Sequence, residues 1–147
     1  MRLAVVARVL SLLCAIISLF MVFPIIWSLA DGSSDLQPLA MGMLSGFSLS
    51  AFLFLCGISA KARDLGVREA FAVVSLSWIL ASAIGGVPYL LHGTVPTFTD
   101  AFFEAMSGFT TTGASVIADI QSNPRGILFW RDMTHWLGGM GIIVLSQ

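Results

Sequence analysis

Charged side chains are scarce in this chain, at 10% of its 147 residues, against roughly 25% in an ordinary soluble domain. So few charges cannot coat a water-facing surface, and lipid becomes the expected solvent. Eight acids and seven bases leave a net charge of −1, which offers no basic face for the phosphates of a nucleic acid. Cysteine is nearly missing too. Cys14 and Cys56 each sit inside an apolar run with no Cys or His at metal-ligand spacing, so neither a disulfide framework nor zinc is expected. Both read as packed or lipid-facing thiols. There is no GxxxxGK[ST] loop, and GGMG at 138–141 follows no strand, so nothing suggests a nucleotide site. Internal repeats, low-complexity linkers and a second domain are all absent. His92, His135, Glu104 and Asp132 do not assemble by spacing into a nucleophile with its base, a carboxylate pair or a metal cluster. An enzyme is therefore not expected.

What fills the chain instead is apolar sequence, 57% of it, at a mean hydropathy of +0.94. Three runs reach the roughly 20 residues that a helix needs to cross a hydrocarbon core: Val9 to Ala30, Pro38 to Ala60 and Ala70 to Leu91. The first is 22 residues long, longer than the 7 to 15 of a signal-peptide core, so a membrane helix is expected there and not a cleaved leader. The connector DGSSDLQ, 31–37, is acidic, whereas KARDLGVRE, 61–69, holds three bases. By the positive-inside rule, Arg2, Arg8, Lys61, Arg63 and Arg68 place the amino terminus and the second connector in the cytoplasm, with Asp31 and Asp35 outside. Gly42 and Gly46 have the spacing that lets membrane helices approach closely; Gly138, Gly139 and Gly141 are candidates for the same role.

The third span runs outward and ends near Pro88 to His92, so the next segment starts outside. Residues 97–109, TFTDAFFEAMSGF, spell a helix of about three turns, too short to span, with Thr97 and Asp100 in capping-box spacing and Gly108 placed to close the carboxyl end. The loop 110–115, TTTGAS, follows, and 125–147 is again long enough to span although Arg131, Asp132 and His135 interrupt it. Irregular backbone at membrane depth survives only where protein buries it or where it lines an aqueous path. An extended TTTGAS would turn successive carbonyl oxygens toward a cation, with Gly113 supplying the backbone freedom and the negative end of the preceding helix aimed at the ion. Taken alone, the same residues also make an ordinary turn between helices.

The run FFEAMSGFTTTGASV, Phe102 to Val116, followed by FWRDMTHWLGGMGIIVL, Phe129 to Leu145, resembles the first pore unit of the Trk/Ktr/HKT potassium transporters, nearest to the bacterial TrkH and TrkG type. The resemblance implies an all-α polytopic membrane protein in which four helix, pore-helix, helix units surround one pathway. Residues 1–69 would be two extra helices and their connector. Residues 70–147 would be the first unit: helix 70–91, pore helix 97–109, filter loop 110–115 and helix 125–147. Thr110, Thr111, Thr112, Gly113 and Ala114 would supply a quarter of the filter, with the carbonyls of Thr111 and Thr112 touching potassium. Potassium is then substrate, and no cofactor is implied. In related plant transporters a serine matching Gly113 goes with sodium transport, so glycine implies a preference for potassium.

The resemblance further implies the bacterial inner membrane, a homodimer of full-length chains, and a cytoplasmic nucleotide-binding regulatory subunit of TrkA type. With one unit of four present and an abrupt end at Gln147, the chain reads as a segment of a longer protein, and a non-conducting assembly subunit is the rival function. Arg131 carries two readings. It either pairs with Glu104 of the short helix and steadies the filter, or pairs with Asp132 beside it or snorkels to the interface. His135 has no partner at useful spacing and reads as a packing donor.

Overall fold

The structure, a computed structural model, describes residues 3–59 and 66–145, with side chains to residue 141. Its elements are α1 (Leu3–Phe20), α2 (Val22–Asp31), α3 (Leu36–Cys56), α4 (Val67–His92), α5 (Phe98–Phe109) and α6 (Arg125–Leu145). Among the described residues there is no strand, and the fold is all-α. Three stretches are long and apolar enough to cross a membrane: Leu3–Asp31, Leu36–Cys56 and Val67–His92. Arg2, Lys61 and Arg63, on which part of the orientation reading rests, lie outside the described residues, as do the expected span ends at Ala60 and Gln147.

The expected first span, Val9 to Ala30, falls inside Leu3–Asp31, which is already helical at Leu3 and breaks at Met21 between α1 and α2. Pro24 is the cause, because it has no N–H to offer the carbonyl one turn back and its ring crowds that turn. Met21 N–H takes a tighter bond to the Ser18 carbonyl at 3.2 Å instead. The third span begins at Val67, earlier than Ala70, and ends at His92, where Gly93 caps it. That glycine has φ of +79°, and bonds from its own N–H and from Thr94 N–H satisfy the last carbonyls, including that of Tyr89.

The outward surface is apolar. Leu12, Leu19, Phe52, Leu55 and Phe71 are all exposed, Phe71 at 72%. In water a face of this kind would drive aggregation, whereas lipid covers it without cost. Burial inside is carried by Met21, Leu39, Ile84, Tyr89, Ala105 and Trp130. Without a hydrophobic drive between helices in lipid, close approach must supply the attraction, and small residues permit it. A Cβ on Gly42 would lie 2.8 Å from the Pro88 ring, and one on Gly46 would run into Ser18 and Ile84. This pair therefore seats α3 against α1 and α4. Cys14 is packed inside, while Cys56 is exposed.

The connectors meet at one end. Arg125 approaches Asp31 at 3.6 Å, and the buried Asp35 carboxylate accepts the Ile127 N–H at 3.0 Å. His92, at the end of α4, lines a shallow cavity there together with Ser34 and Gln37. Burial pushes the Asp35 carboxyl pKa up, but hydrogen bonds from Ser28, Ser33 and the Ile127 N–H outweigh it and hold the group below its ordinary 3.8. At the opposite end Gly57 lies against the backbone of Ala4 and Arg8, and the Arg8 guanidinium stacks 3.9 Å from the Phe54 ring centre.

Candidate functional site

Twelve residues give α5 a length of about 18 Å, which cannot cross a hydrocarbon core of about 30 Å. It starts at the connector end and runs inward. Thr97 caps it: its Oγ1 accepts the Asp100 N–H at 3.1 Å and donates to Asp100 Oδ2 at 2.6 Å. This is half of a capping box, with the Asp100 carboxylate turned onto the threonine hydroxyl and away from its amide. Two other helices hold α5 by close backbone approach. A Cβ on Gly86 of α4 would sit 2.8 Å from the Ala101 carbonyl oxygen, and one on Gly138 of α6 would sit 1.9 Å from that of Phe109. Trp130 locks the junction, donating to the Gly85 carbonyl at 2.9 Å and meeting the Phe109 ring in a T-shaped contact.

Gly108 does not end α5, contrary to its expected role. The helix continues to Phe109, and Gly108 is a contact point where a Cβ would fall 2.2 Å from Thr134 Oγ1 on α6. The turn is made beyond it by two residues of positive φ, Thr111 at +57° and Gly113 at +77°. A β-branched residue rarely adopts that region, so the surroundings must impose it on Thr111.

Three successive amides impose it. Thr110 N–H reaches the Met106 carbonyl at 2.9 Å, Thr111 N–H reaches Gly108 at 2.9 Å, and Thr112 N–H reaches Ser107 at 3.0 Å. In a trans peptide the N–H and C=O point in opposite directions. Amides bound back to α5 therefore turn the carbonyls of Phe109, Thr110 and Thr111 away from it. Among the described residues no donor engages the carbonyls of Thr111, Thr112 or Gly113, and residues 111–116 are exposed. Threonine hydroxyls are used differently. Thr110 gives its proton to the Met106 carbonyl at 2.7 Å, so in the 2.9 Å contact between Thr110 and Thr112 it is Thr112 that donates. Ala114 departs from the rest of the loop, for its carbonyl accepts from Ser107 Oγ at 2.6 Å and faces the scaffold.

Glu104 and Arg131 are brought together. Arg131 Nε donates to Glu104 Oε1 at 2.9 Å, and the glutamate side chain is 1% exposed. The same carboxylate accepts from Ser115 Oγ at 3.0 Å and from the Val116 N–H at 3.0 Å. Glu104 thus ties α5, the descending end of the loop and α6 into one cluster. Asp132 is exposed on another face of α6, and the His135 ring contacts the Arg131 carbonyl at 2.9 Å within that helix. Of the three glycines at 138–141, Gly138 makes the close approach, Gly139 only grazes the Thr111 methyl, and Gly141 meets nothing within 4 Å. Ser107, Ser115 and Asp35 were not read from the sequence as site residues. For the serines the only signal is position, Ser107 one turn before the threonine run and Ser115 at the end of the loop TTTGAS, and Asp35 carries none.

A family profile described as TrkH, cation transport protein, matches residues 39–147. The Trk system potassium uptake protein TrkH of Halomonas elongata is 40% identical over 99% of this chain and 30% of its own length. The Escherichia coli K12 protein of the same name is 46% identical over 56% of this chain and 17% of its own. In three dimensions the chain superposes on the crystal structure of the potassium transporter TrkH from Vibrio parahaemolyticus with a TM-score of 0.87 and 34% identity, covering 99% of this chain and 31% of that one. The chain therefore spans about a third or less of the length of the relatives it matches.

Proposed function

The chain belongs to the TrkH cation transport protein family, and from that membership and the loop geometry we propose that it forms the amino-terminal part of a potassium uptake protein. In this reading residues 110–115 are the first of the filter loops, and residues 70–147 are the unit that holds them. The carbonyls of Thr111 and Thr112 are the first candidates to replace the water shell of the ion. One observation carries the reading. The loop binds its amides back to α5 while leaving the Thr111, Thr112 and Gly113 carbonyls without a donor among the described residues. The amide bonds are those of an ordinary helix cap, the kind that also closes α4 at Gly93 and Thr94. It is the row of unengaged carbonyls after a helix too short to span, in a chain of this family, that supports the reading.

Ala114 would belong to the loop as an anchor and not as an ion contact, since its carbonyl is held by Ser107. Glu104 and Arg131 would keep the loop at fixed depth. The bacterial inner membrane with a cytoplasmic amino terminus, a homodimer of full-length chains and a cytoplasmic nucleotide-binding regulatory subunit of TrkA type belong to the same proposal, on the strength of family membership and the placement of basic residues.

Gly113→Ser tests it. Potassium and sodium uptake are measured for the full-length protein in a host without its own uptake systems, normalised to inserted protein. A raised sodium share is expected, because a Cβ at φ of +77° forces the loop to adjust. An unchanged ratio at normal insertion overturns the filter reading and leaves a structural role for the segment.

A further inference from the structure

Ser107 grips the loop twice, once on each side of Gly113. Its main-chain carbonyl accepts the Thr112 N–H at 3.0 Å, and its hydroxyl donates to the Ala114 carbonyl at 2.6 Å. The serine is buried, 5% exposed, in the last turns of a helix that close approaches to α4 and α6 hold still. The loop it grips is in the opposite condition. Nothing lies within 4 Å of where a Gly113 Cβ would be, and residues 111–116 are exposed.

The two bonds act on different peptide groups. The Thr112 N–H belongs to the peptide joining 111 to 112, and the Ala114 carbonyl to the peptide joining 114 to 115. Between them lie two peptides, 112 to 113 and 113 to 114, that carry the Thr112 and Gly113 carbonyls and have no donor or acceptor among the described residues. They flank the residue with the widest backbone freedom. Free at its far end, that pair of peptides would rotate and the spacing of its oxygens would vary.

Resting on the reading of this loop as a cation filter, we propose that Ser107 is a positioning residue for ion selection. Its hydroxyl fixes the far end of the Gly113 bend and so sets the distance between the oxygens that replace the water shell. Sodium is smaller than potassium and needs those oxygens to draw closer. A loop held at Ala114 as well as at Thr112 resists that movement more than one whose next anchor is Glu104, at Ser115 and Val116. Ser107 touches no ion in this account, and its effect passes through Ala114.

The test compares Ser107→Ala, Ser107→Thr and Gly113→Ser in the full-length protein, reading the ratio of potassium to sodium uptake per inserted molecule. Ser107→Ala is expected to lower the ratio roughly two- to tenfold, the factor that one hydrogen bond is worth. Ser107→Thr keeps the hydroxyl and should restore most of it. If Gly113→Ser moves the ratio while Ser107→Ala does not, the positioning role is overturned and the filter reading stands. If neither moves it, the filter reading fails and takes this inference with it. An equal loss of both ions in Ser107→Ala, or a threonine variant as altered as the alanine one, also overturns the proposal. Ser107→Cys, of similar volume but far weaker as a donor, is read by the same criteria if the alanine variant fails to insert.

Discussion

Asp35 closes the amino end of α6 from 92 positions earlier in the chain, its Oδ2 accepting the Ile127 N–H at 3.0 Å. Pro124, the residue before that helix, has no side-chain acceptor to give. Gly126 admits the carboxylate, since a Cβ there would stand 2.4 Å from Asp35 Oδ2. The cap therefore fastens the two amino-terminal helices to the helix that packs on the end of α5.

Removing this cap should cost about 0.5–2 kcal/mol, the usual range for losing a capping side chain. Asp35→Ala is expected to lower the melting temperature of the detergent-solubilised protein, and Asp35→Asn to lower it less. The carboxyl titrates below 3.8 in the fold, a depressed value. Its contribution is thus complete above about pH 4, near the unfolded-state value, and is lost as pH falls through the lower folded-state value. Melting curves from pH 6 to pH 3 should show the gap between wild type and Asp35→Asn closing at the acid end. A gap that stays constant with pH would contradict the charged cap.

Glu104→Gln and Arg131→Gln should each reduce uptake. Breaking a buried pair strands its partner at a cost on the order of 3 kcal/mol. The double variant should lose less than the sum, because no lone charge remains. Uptake per inserted molecule in all four proteins of the cycle gives the coupling. Strict additivity would show that the 2.9 Å contact does not act as a unit.

Gly138→Ala should disturb both folding and transport, because its methyl would occupy a point 1.9 Å from the Phe109 carbonyl oxygen. Rigid backbone on both sides leaves no easy adjustment, and overpacking of this kind costs about 1–3 kcal/mol. A lowered melting temperature with reduced uptake is the expected pair of results. Wild-type values for both would mean that α6 does not lie this close to the end of α5.

The proposed orientation is tested at Ser34, an exposed residue of the acidic connector. In a background lacking Cys14 and Cys56, Ser34→Cys should react with an impermeant thiol reagent added outside the cell. Labelling from the cytoplasmic side alone would reverse the whole arrangement. Arg125 would reverse with it, because its contact with Asp31 puts both connectors at one end.

The sequence by itself determined whatever is written in consecutive residues. Run length and hydropathy located the three spans, missing the start of the first by six residues, from Val9 to Leu3. Thr97 with Asp100 marked the start of the short helix, and Gly113 marked a position of positive φ. Each of these is a local property, decided by a residue and its near neighbours against lipid or backbone sterics. The Glu104 and Arg131 pairing was one of two readings, and a third dimension was needed to choose between Asp132 beside Arg131 and Glu104 on α5.

Tertiary structure alone decided the rest. Gly108 has the right identity to end a helix, but Thr134 of α6 lies so close that its lack of a Cβ serves packing instead. Thr111 took the left-handed turn against its own preference because three amides are drawn back to α5. Asp35, Ser107 and Ser115 look like any polar residue of a connector or helix end until their partners arrive. A hydrogen bond between distant residues leaves no periodicity in the chain. It exists only after the helices have packed, and it is then that the loop acquires its shape.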